Sequence, residues 1–300
     1  MALPDESENH ITSPADQSQL QYDKIGSSYS QVKQLPISRV ETFNLHAAIA
    51  PYLDRRNGTA RVLDLACGTG HYSRNLVSSW GAASVVGVDI SPAMVKSAKD
   101  ITSTMFGSES LEHKIQFVVG DAISMDKLDD QGFDLVIGAW LLNYSRTEDE
   151  LAKMFLTISS NLNTEDGIFA GIVPPPVKKD HLAASAEWVR KLKTSQPPWQ
   201  FSVRYIEPLD DDDGGWKVEL RMFGDGGKET VKFETYHLPM EAYERAARKG
   251  GMYGQLEWRE VTRPVAVDGD SEDAKLWDRY FDDIGGHFRV LIVSKGAANL

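Results

Sequence analysis

The chain has 300 residues, 41% of them hydrophobic, enough to bury a substantial core in one large domain or a domain with an inserted lobe. Its 32 Lys and Arg stand against 44 Asp and Glu, a formal net charge of −12, which argues against a nucleic-acid or anionic-membrane binder because both need a basic face. The single cysteine, Cys67, excludes an intrachain disulfide and any multi-cysteine metal site.

No apolar run approaches the length of a membrane span, and the N-terminus has no basic-plus-apolar leader, so the chain is read as soluble and cytoplasmic. Residues 1–20 are polar and aperiodic and are expected to be a disordered tail. A helix is predicted from Pro36 to about Tyr52, with Val40, Phe43, Ala47 and Leu53 on its apolar face. Arg61 to Leu65 reads as a short buried strand carrying one acid, Asp64. Ala66, Cys67, Gly68, Thr69 and Gly70 then make a tight turn, and a helix opens near Tyr72. Ser84 to Asp89 is the next buried strand. Ser91-Pro92 opens a helix whose predicted stripe is Met94, Ala98, Ile101 and Met105.

Ile115 to Val119 is a third strand, closed by Gly120-Asp121-Ala122, and Phe133 to Ala139 is a fourth. Thr147 and Glu150 form a capping box for a helix with Leu151, Met154, Phe155, Ile158 and Leu162 on its face. Ile168 to Val173 is a fifth strand, stopped by three prolines. Alternating strands and helices predict a doubly wound, Rossmann-like α/β fold with a parallel sheet. The pattern then changes. After a helix within His181 to Lys193, three alternating segments, Phe201–Ile206, Trp216–Phe223 and Val231–Tyr236, predict an inserted antiparallel β lid, with turns at Asp213-Gly214 and Asp225-Gly226. A helix from Met240 to Lys249, a strand at Leu256–Val261, a helix around Ala274–Ile284 and a strand at His287–Ser294 resume the α/β pattern. The expected organisation is a tail (1–20), a core (21–176), a substrate lid (177–238) and the remainder of the core (239–300).

Strand, glycine turn and helix together form a nucleotide-cofactor cradle, with free helix N–H groups aimed at the ligand. A dinucleotide is the first competitor, because Asp89 is spaced to bind ribose hydroxyls in either case. Two features favour another ligand. Asp64 puts a negative charge beside the turn, which suits a cationic amino group and repels a pyrophosphate. Asp121 closes the third strand, where its side chain and the Ala122 N–H can read an adenine edge. Amine, ribose and adenine in that order describe S-adenosylmethionine.

The set Asp64-x-x-x-Gly68-x-Gly70, Asp89, Gly120-Asp121-Ala122 and Phe133-Asp134-Leu135-Val136 resembles the motifs of class I S-adenosylmethionine-dependent methyltransferases. The flanking stretches Tyr22 to Tyr29, Cys67 to Tyr72, Val88 to Met94 and Leu141 to Tyr144 are similar to the toxoflavin-type small-molecule methyltransferases. The resemblance covers residues 21–173 well and 229–296 loosely, and it leaves 177–228 unmatched. It implies a seven-stranded sheet ending in an antiparallel hairpin, with S-adenosylhomocysteine as the product.

The candidate cofactor-binding residues are Tyr22, Tyr29, Asp64, Ala66, Gly68, Gly70, Asp89, Ile90, Asp121, Ala122 and Ala139. Tyr22 and Tyr29 offer aromatic faces to a sulfonium, or else pack the N-terminal segment onto the core. His71, His237 and Tyr144 are the catalytic candidates, although a histidine is more often packing or surface. Asp210 to Asp213 looks like a metal tract but lacks spaced oxygen ligands, and is read as an acidic hairpin tip, so no metal is expected. The expected function is methyl transfer to a small-molecule acceptor at O, N or C in specialised metabolism, without a nucleic-acid or membrane partner. A methyltransferase-like protein that runs a non-methylating reaction, such as a pericyclic step, or acts as a binding regulator is the alternative. Oligomeric state is left open.

Overall fold

The computed structural model describes residues 22–23, 33, 35–106, 112–128, 132–163, 166–190, 194–195, 198–209, 214–224, 227–263 and 272–297. The predicted tail, Tyr29, the Asp210–Asp213 run and Asp225-Gly226 lie outside these residues. Strands β1 (Arg61–Leu65), β2 (Ser84–Asp89), β3 (Ile115–Val119), β4 (Leu135–Ala139) and β5 (Ile168–Val173) pair in parallel. Two further strands, β9 (Glu257–Arg259) and β10 (Arg289–Ser294), complete a seven-stranded sheet in the order β3-β2-β1-β4-β5-β10-β9. β10 runs antiparallel to both β5 and β9, the expected terminal hairpin. The fourth strand starts at Leu135 rather than Phe133, because Phe133 makes only an isolated bridge to Leu162.

Alternation along the strands sends side chains to opposite faces of the sheet. Val62, Leu135 and Ile172 join one core with helices α1 (Pro36–Arg56) and α2 (His71–Ser78). Leu63, Val136 and Val173 join the other, with α4 (Glu148–Asn161) and α6 (Met240–Lys249). The predicted face of α4 is buried throughout, and Thr147 caps it by accepting from the Glu150 N–H at 3.2 Å. The return bond of the capping box is displaced by one residue, since the Glu150 carboxylate accepts from the Arg146 N–H at 2.7 Å.

Two predicted stripes are corrected. On α1, Ala47 is exposed and Phe43 only half-buried, while Glu41, Asn44, Ala48 and Ile49 are buried. The buried face is therefore rotated and contains three polar residues, Ser38, Glu41 and Asn44. On α3 (Pro92–Phe106), Met105 is 63% exposed and Val95 and Thr102 replace it in the core. Hydrophobic spacing alone could not separate adjacent helix faces there.

Between β5 and α6 the chain forms α5 (Leu182–Arg190) and then a separate antiparallel sheet of β6 (Phe201–Pro208), β7 (Trp216–Phe223) and β8 (Glu229–His237). Its register sets Val203 opposite Leu220 and Leu220 opposite Phe233, so one face is apolar. The other face places Glu219 among Arg204, Arg221 and Lys232 at 2.8–3.1 Å. Trp199, just before β6, is fully buried and donates to Asp283 at 2.9 Å on α7 (Glu272–Asp283), which ties the base of the lid to the core. Replacing Trp199 with Ala is expected to cost about 3–5 kcal/mol of stability. Urea denaturation checks this; a loss under 1 kcal/mol would show that the lid base is not anchored there.

Candidate functional site

The site forms where β1, β2, β3 and β4 end, the edge at which open α/β sheets hold their ligands. Ala66 and Gly68 have φ of 56° and 55°, so the chain leaves β1 in left-handed conformation twice within three residues. Ala66 carries a Cβ in that region, a strain of order 1–3 kcal/mol that surrounding structure must hold. Asp89 supplies part of the restraint. Its Oδ2 accepts from the Gly68 N–H at 2.8 Å and its Oδ1 from the Ser91 N–H at 3.0 Å. Burial raises this carboxyl to about 6 despite those two bonds, so it is poised to respond to a ligand.

The resulting cleft has an empty volume of about 970 Å³. Of the predicted cofactor residues, Tyr22, Ala66, Gly68, Asp89, Ile90, Asp121, Ala122 and Ala139 all line it. Asp121 turns on itself, with Oδ1 accepting from the Ile123 N–H at 2.9 Å. Tyr22 reaches the cleft from the N-terminal segment, where its hydroxyl hydrogen-bonds that of Tyr144, and the adjacent Asp23 accepts from Ser91 Oγ at 2.6 Å.

Two predicted residues sit elsewhere. Gly70 does not line the cleft: it caps α2 at φ 77°, and a Cβ there would lie 2.6 Å from the Phe117 ring, so close packing requires the glycine. Asp64 also lies off the lining. Its Oδ2 accepts from Ser73 Oγ at 2.5 Å, while Oδ1 is buried with no partner. Burial lifts its carboxyl to about 7, with the Asp89 charge adding to the rise. An orphaned carboxylate oxygen beside a left-handed glycine turn, with a second acid at the end of β2, fits a ligand bearing an ammonium and ribose hydroxyls.

A second cavity, with an empty volume of about 1210 Å³, lies under the apolar face of the lid. Ile37, Pro174, Pro175, Trp188, Phe201, Val203, Leu220 and Phe233 make its walls. It meets the first cleft at Tyr22, Lys33, Trp140 and Tyr144, which line both. Trp140 follows β4 with φ 62°, and its Nε1 donates to Glu41 Oε1 at 2.9 Å. Burial alone would raise the Glu41 carboxyl, but Lys33 at 3.4 Å, His287 and Trp140 outweigh it and hold it at about 2. Glu41, Lys33 and His287 were not candidates from the sequence. The available signal was an acid at the i+4 position from Ile37 on a helix face that is otherwise buried.

The catalytic candidates separate. Tyr144 stands at the junction of the two spaces. His71 lines the cofactor cleft, with Nε2 3.0 Å from Thr42 Oγ1, and burial with nearby Lys33 and Arg74 pushes it down to about 4. His237 lines the lid cavity instead. Its Nε2–H donates to the Pro175 carbonyl at 3.0 Å, which leaves Nδ1 to accept from the Tyr205 hydroxyl at 2.5 Å. Both nitrogens are committed and burial lowers it to about 4, so His237 orients Tyr205 rather than taking a proton. Of the lid aromatics, Tyr205 and Tyr236 line the cavity, whereas Trp216 packs edge-on behind Tyr205 at 5.9 Å.

Comparison with known proteins bears on the cradle. A family described as a methyltransferase domain matches residues 62–165, from β1 to the loop before β5. A crystal structure of an S-adenosylmethionine-dependent methyltransferase from Clostridium acetobutylicum superposes with a TM-score of 0.57 over 90% of this chain and 98% of its own, at 17% identity. The fold is that of an S-adenosylmethionine-dependent methyltransferase. The magnesium protoporphyrin IX methyltransferase of Synechocystis, solved with bound SAH, superposes with a TM-score of 0.51 over 86% of this chain and 85% of its own, at 13% identity. Among curated proteins, the mRNA cap guanine-N(7) methyltransferase of Caenorhabditis elegans is 32% identical over 123 residues, 38% of this chain and 31% of that one. The chloroplastic tocopherol O-methyltransferase of Arabidopsis thaliana is 40% identical over 76 residues, 25% of this chain and 20% of that one. The chain thus spans less than half the length of these curated relatives. Among the described residues no helix is long and apolar enough to cross a membrane, and no His, Cys, Asp and Glu cluster could hold a metal ion.

Burial of Asp89 makes the binding of any ligand that needs its carboxylate depend on pH. A carboxyl that binds only when ionised loses affinity as pH falls through its value in the free protein. With Asp89 at about 6, S-adenosylhomocysteine should bind about tenfold more weakly at pH 5 than at pH 7.5, by the linkage relation. Asp89→Asn should be weak at both values. Calorimetry on the two proteins checks this, and a wild-type affinity flat over that range would remove Asp89 from the cofactor contacts.

Proposed function

We propose that this protein transfers a methyl group from S-adenosylmethionine to a small, largely apolar acceptor held under the three-stranded lid. The observation that carries this reading is the meeting of the cofactor cleft and the lid cavity at Tyr22, Lys33, Trp140 and Tyr144. One space carries Asp89 and Asp121 at its strand ends, placed for a ribose and a base; the other has aliphatic and aromatic walls. An opening between them is what an in-line displacement needs.

The bound cofactor supplies an electrophilic methyl on a sulfonium. The rest is done by the chain. Asp89 and the Gly68 turn hold the ribose end, Asp121 and Ala122 face the base, and the buried Asp64, bonded by Ser73, sits behind the turn. Tyr22 and Tyr144 place two aromatic rings, 5.8 Å apart and edge-on, at the junction, where a ring face stabilises a cation by about 0.5–2 kcal/mol. The lid and the Tyr22 segment exclude water and align the nucleophile, the main contributions open to an enzyme in such a reaction.

Residues 177–238 act in this reading as the substrate lid. The branch is the small-molecule one, similar to the toxoflavin-type enzymes, with specialised metabolism as its setting. The net charge of −12 and the apolar cavity weigh against a capped RNA acceptor. The test is an acceptor panel incubated with methyl-labelled S-adenosylmethionine, read by mass spectrometry for a methylated product. Cofactor binding without any methylated product across apolar acceptors would favour a non-methylating reaction or a binding role.

Tyr205→Ala and Tyr236→Ala should raise the acceptor KM about tenfold or more, since each removes a cavity wall worth roughly 1.5–3 kcal/mol of apolar burial. S-adenosylhomocysteine affinity should stay within twofold of wild type. Trp216→Ala, behind Tyr205, should lower the melting temperature more than it changes KM. Parallel loss of both affinities in the tyrosine variants would make the lid purely structural.

A further inference from the structure

One polar atom in the lid cavity has no use in the account so far. Asn143 follows β4 in the short helical turn Leu142–Tyr144; the residue lines the cavity and is 3% exposed, and its Oδ1 is buried with no hydrogen-bond partner. A buried carbonyl oxygen left unpaired costs about 1–3 kcal/mol, so natural structures retain such atoms for a reason. The next residue, Tyr144, lines both spaces, and Trp140 three positions earlier does too. The orphan acceptor therefore stands beside the point where the acceptor molecule must meet the methyl group.

We propose that Asn143 binds the acceptor, its Oδ1 receiving the N–H of a neutral amine nitrogen, and that this protein is an N-methyltransferase acting on amines with an apolar, ring-sized body. The inference rests on the function proposed above. An amide oxygen can only accept, so the group it meets must carry a hydrogen; ether oxygens and bare carbon centres are excluded. It also cannot remove a proton. The neighbouring groups do not supply that service: His237 has both nitrogens engaged, and Glu41 is paired with Lys33 at 3.4 Å and accepts from Trp140 Nε1 at 2.9 Å. His287 Nε2 lies 3.7 Å from Glu41 Oε1, and the Tyr280 hydroxyl lies 2.8 Å from its Nδ1.

The downward shifts of His237, His71 and Glu41 agree, since each makes a weak base near neutral pH. A hydroxyl needs its proton drawn off as it attacks, whereas a neutral amine presents its lone pair directly. With one N–H held by Oδ1, that pair is free to point at the methyl. A C–N bond forms as the C–S bond breaks, the sulfur keeps the electron pair and becomes a neutral thioether, and the positive charge passes to the methylated nitrogen. Its proton leaves with the product to solvent.

The test uses three bicyclic probes of one shape: 1,2,3,4-tetrahydroquinoline, its ether isostere chroman, and the phenol 5,6,7,8-tetrahydro-1-naphthol. Calorimetry measures their binding to the full chain saturated with S-adenosylhomocysteine. Wild type should bind the amine about tenfold more tightly than chroman, the difference expected from one hydrogen bond to an otherwise unpaired oxygen. Asn143→Leu should bring the two within twofold, and Asn143→Asp, which keeps an acceptor oxygen there, should preserve the preference. With labelled S-adenosylmethionine, the amine and not the phenol should gain the methyl group.

Equal wild-type affinities for amine and ether, no amine binding, or methylation of the phenol over the amine would overturn the proposal. If Asn143→Leu fails to fold, the wild-type comparison and Asn143→Asp still decide. Loss of S-adenosylhomocysteine binding by wild type would instead count against the cofactor reading, which separates the two failures.

Discussion

The architecture of the site depends on the link between Asp89 and the turn after β1. That turn must leave the sheet in left-handed conformation at Ala66 and Gly68, and a buried carboxylate accepting the Gly68 N–H at 2.8 Å helps to hold it there. The Cys67 N–H to the Val88 carbonyl at 2.9 Å adds a second tie between the ends of β1 and β2. Burying Asp89 carries a desolvation cost, visible in its raised carboxyl, and the two backbone donors offset part of it. The same group thus shapes the cradle and remains responsive to what the cradle binds.

The second space follows from how the chain returns after β5. A parallel strand would continue the doubly wound pattern, but Pro174-Pro175-Pro176 stop it and the chain builds its own three-stranded sheet. Period-two alternation gives that sheet an apolar face, which together with Trp188 of α5 encloses the second cavity. His237 and Tyr205 stiffen the arrangement through the Pro175 carbonyl, so the proline stop and the lid are joined by hydrogen bonds. Placing the polar groups at the inner end, around Glu41, Trp140 and Asn143, leaves the walls to bind by shape and area, as small-molecule sites generally do.

Much of this was legible in the residues. The order of strands and helices, the glycine turn, the acids at the ends of β1, β2 and β3, and the alternation of the lid all follow local rules of period, turn chemistry and capping, which act within a few positions of the chain. Seven of the proposed cofactor residues line one cleft with Tyr22 because strand ends in a parallel sheet are neighbours by construction. The local rules could not show that Gly70 serves packing against Phe117, or that Ala47 turns outward while Glu41 turns inward. Those outcomes depend on what another element brings to the same place.

The sequence by itself determined the class of fold and the edge of the sheet at which a ligand cradle forms, because both rest on patterns that repeat at fixed spacing. Only the tertiary structure decided the acceptor side. Glu41 is 99 residues from Trp140 and 246 from His287, and no spacing rule links them. His237 looked like a base until its two nitrogens were seen to be spent on Pro175 and Tyr205. Asn143 reads as an ordinary loop residue until burial leaves its oxygen without a partner. Whether a polar group is satisfied depends on everything packed around it, and that is settled only when the chain has folded.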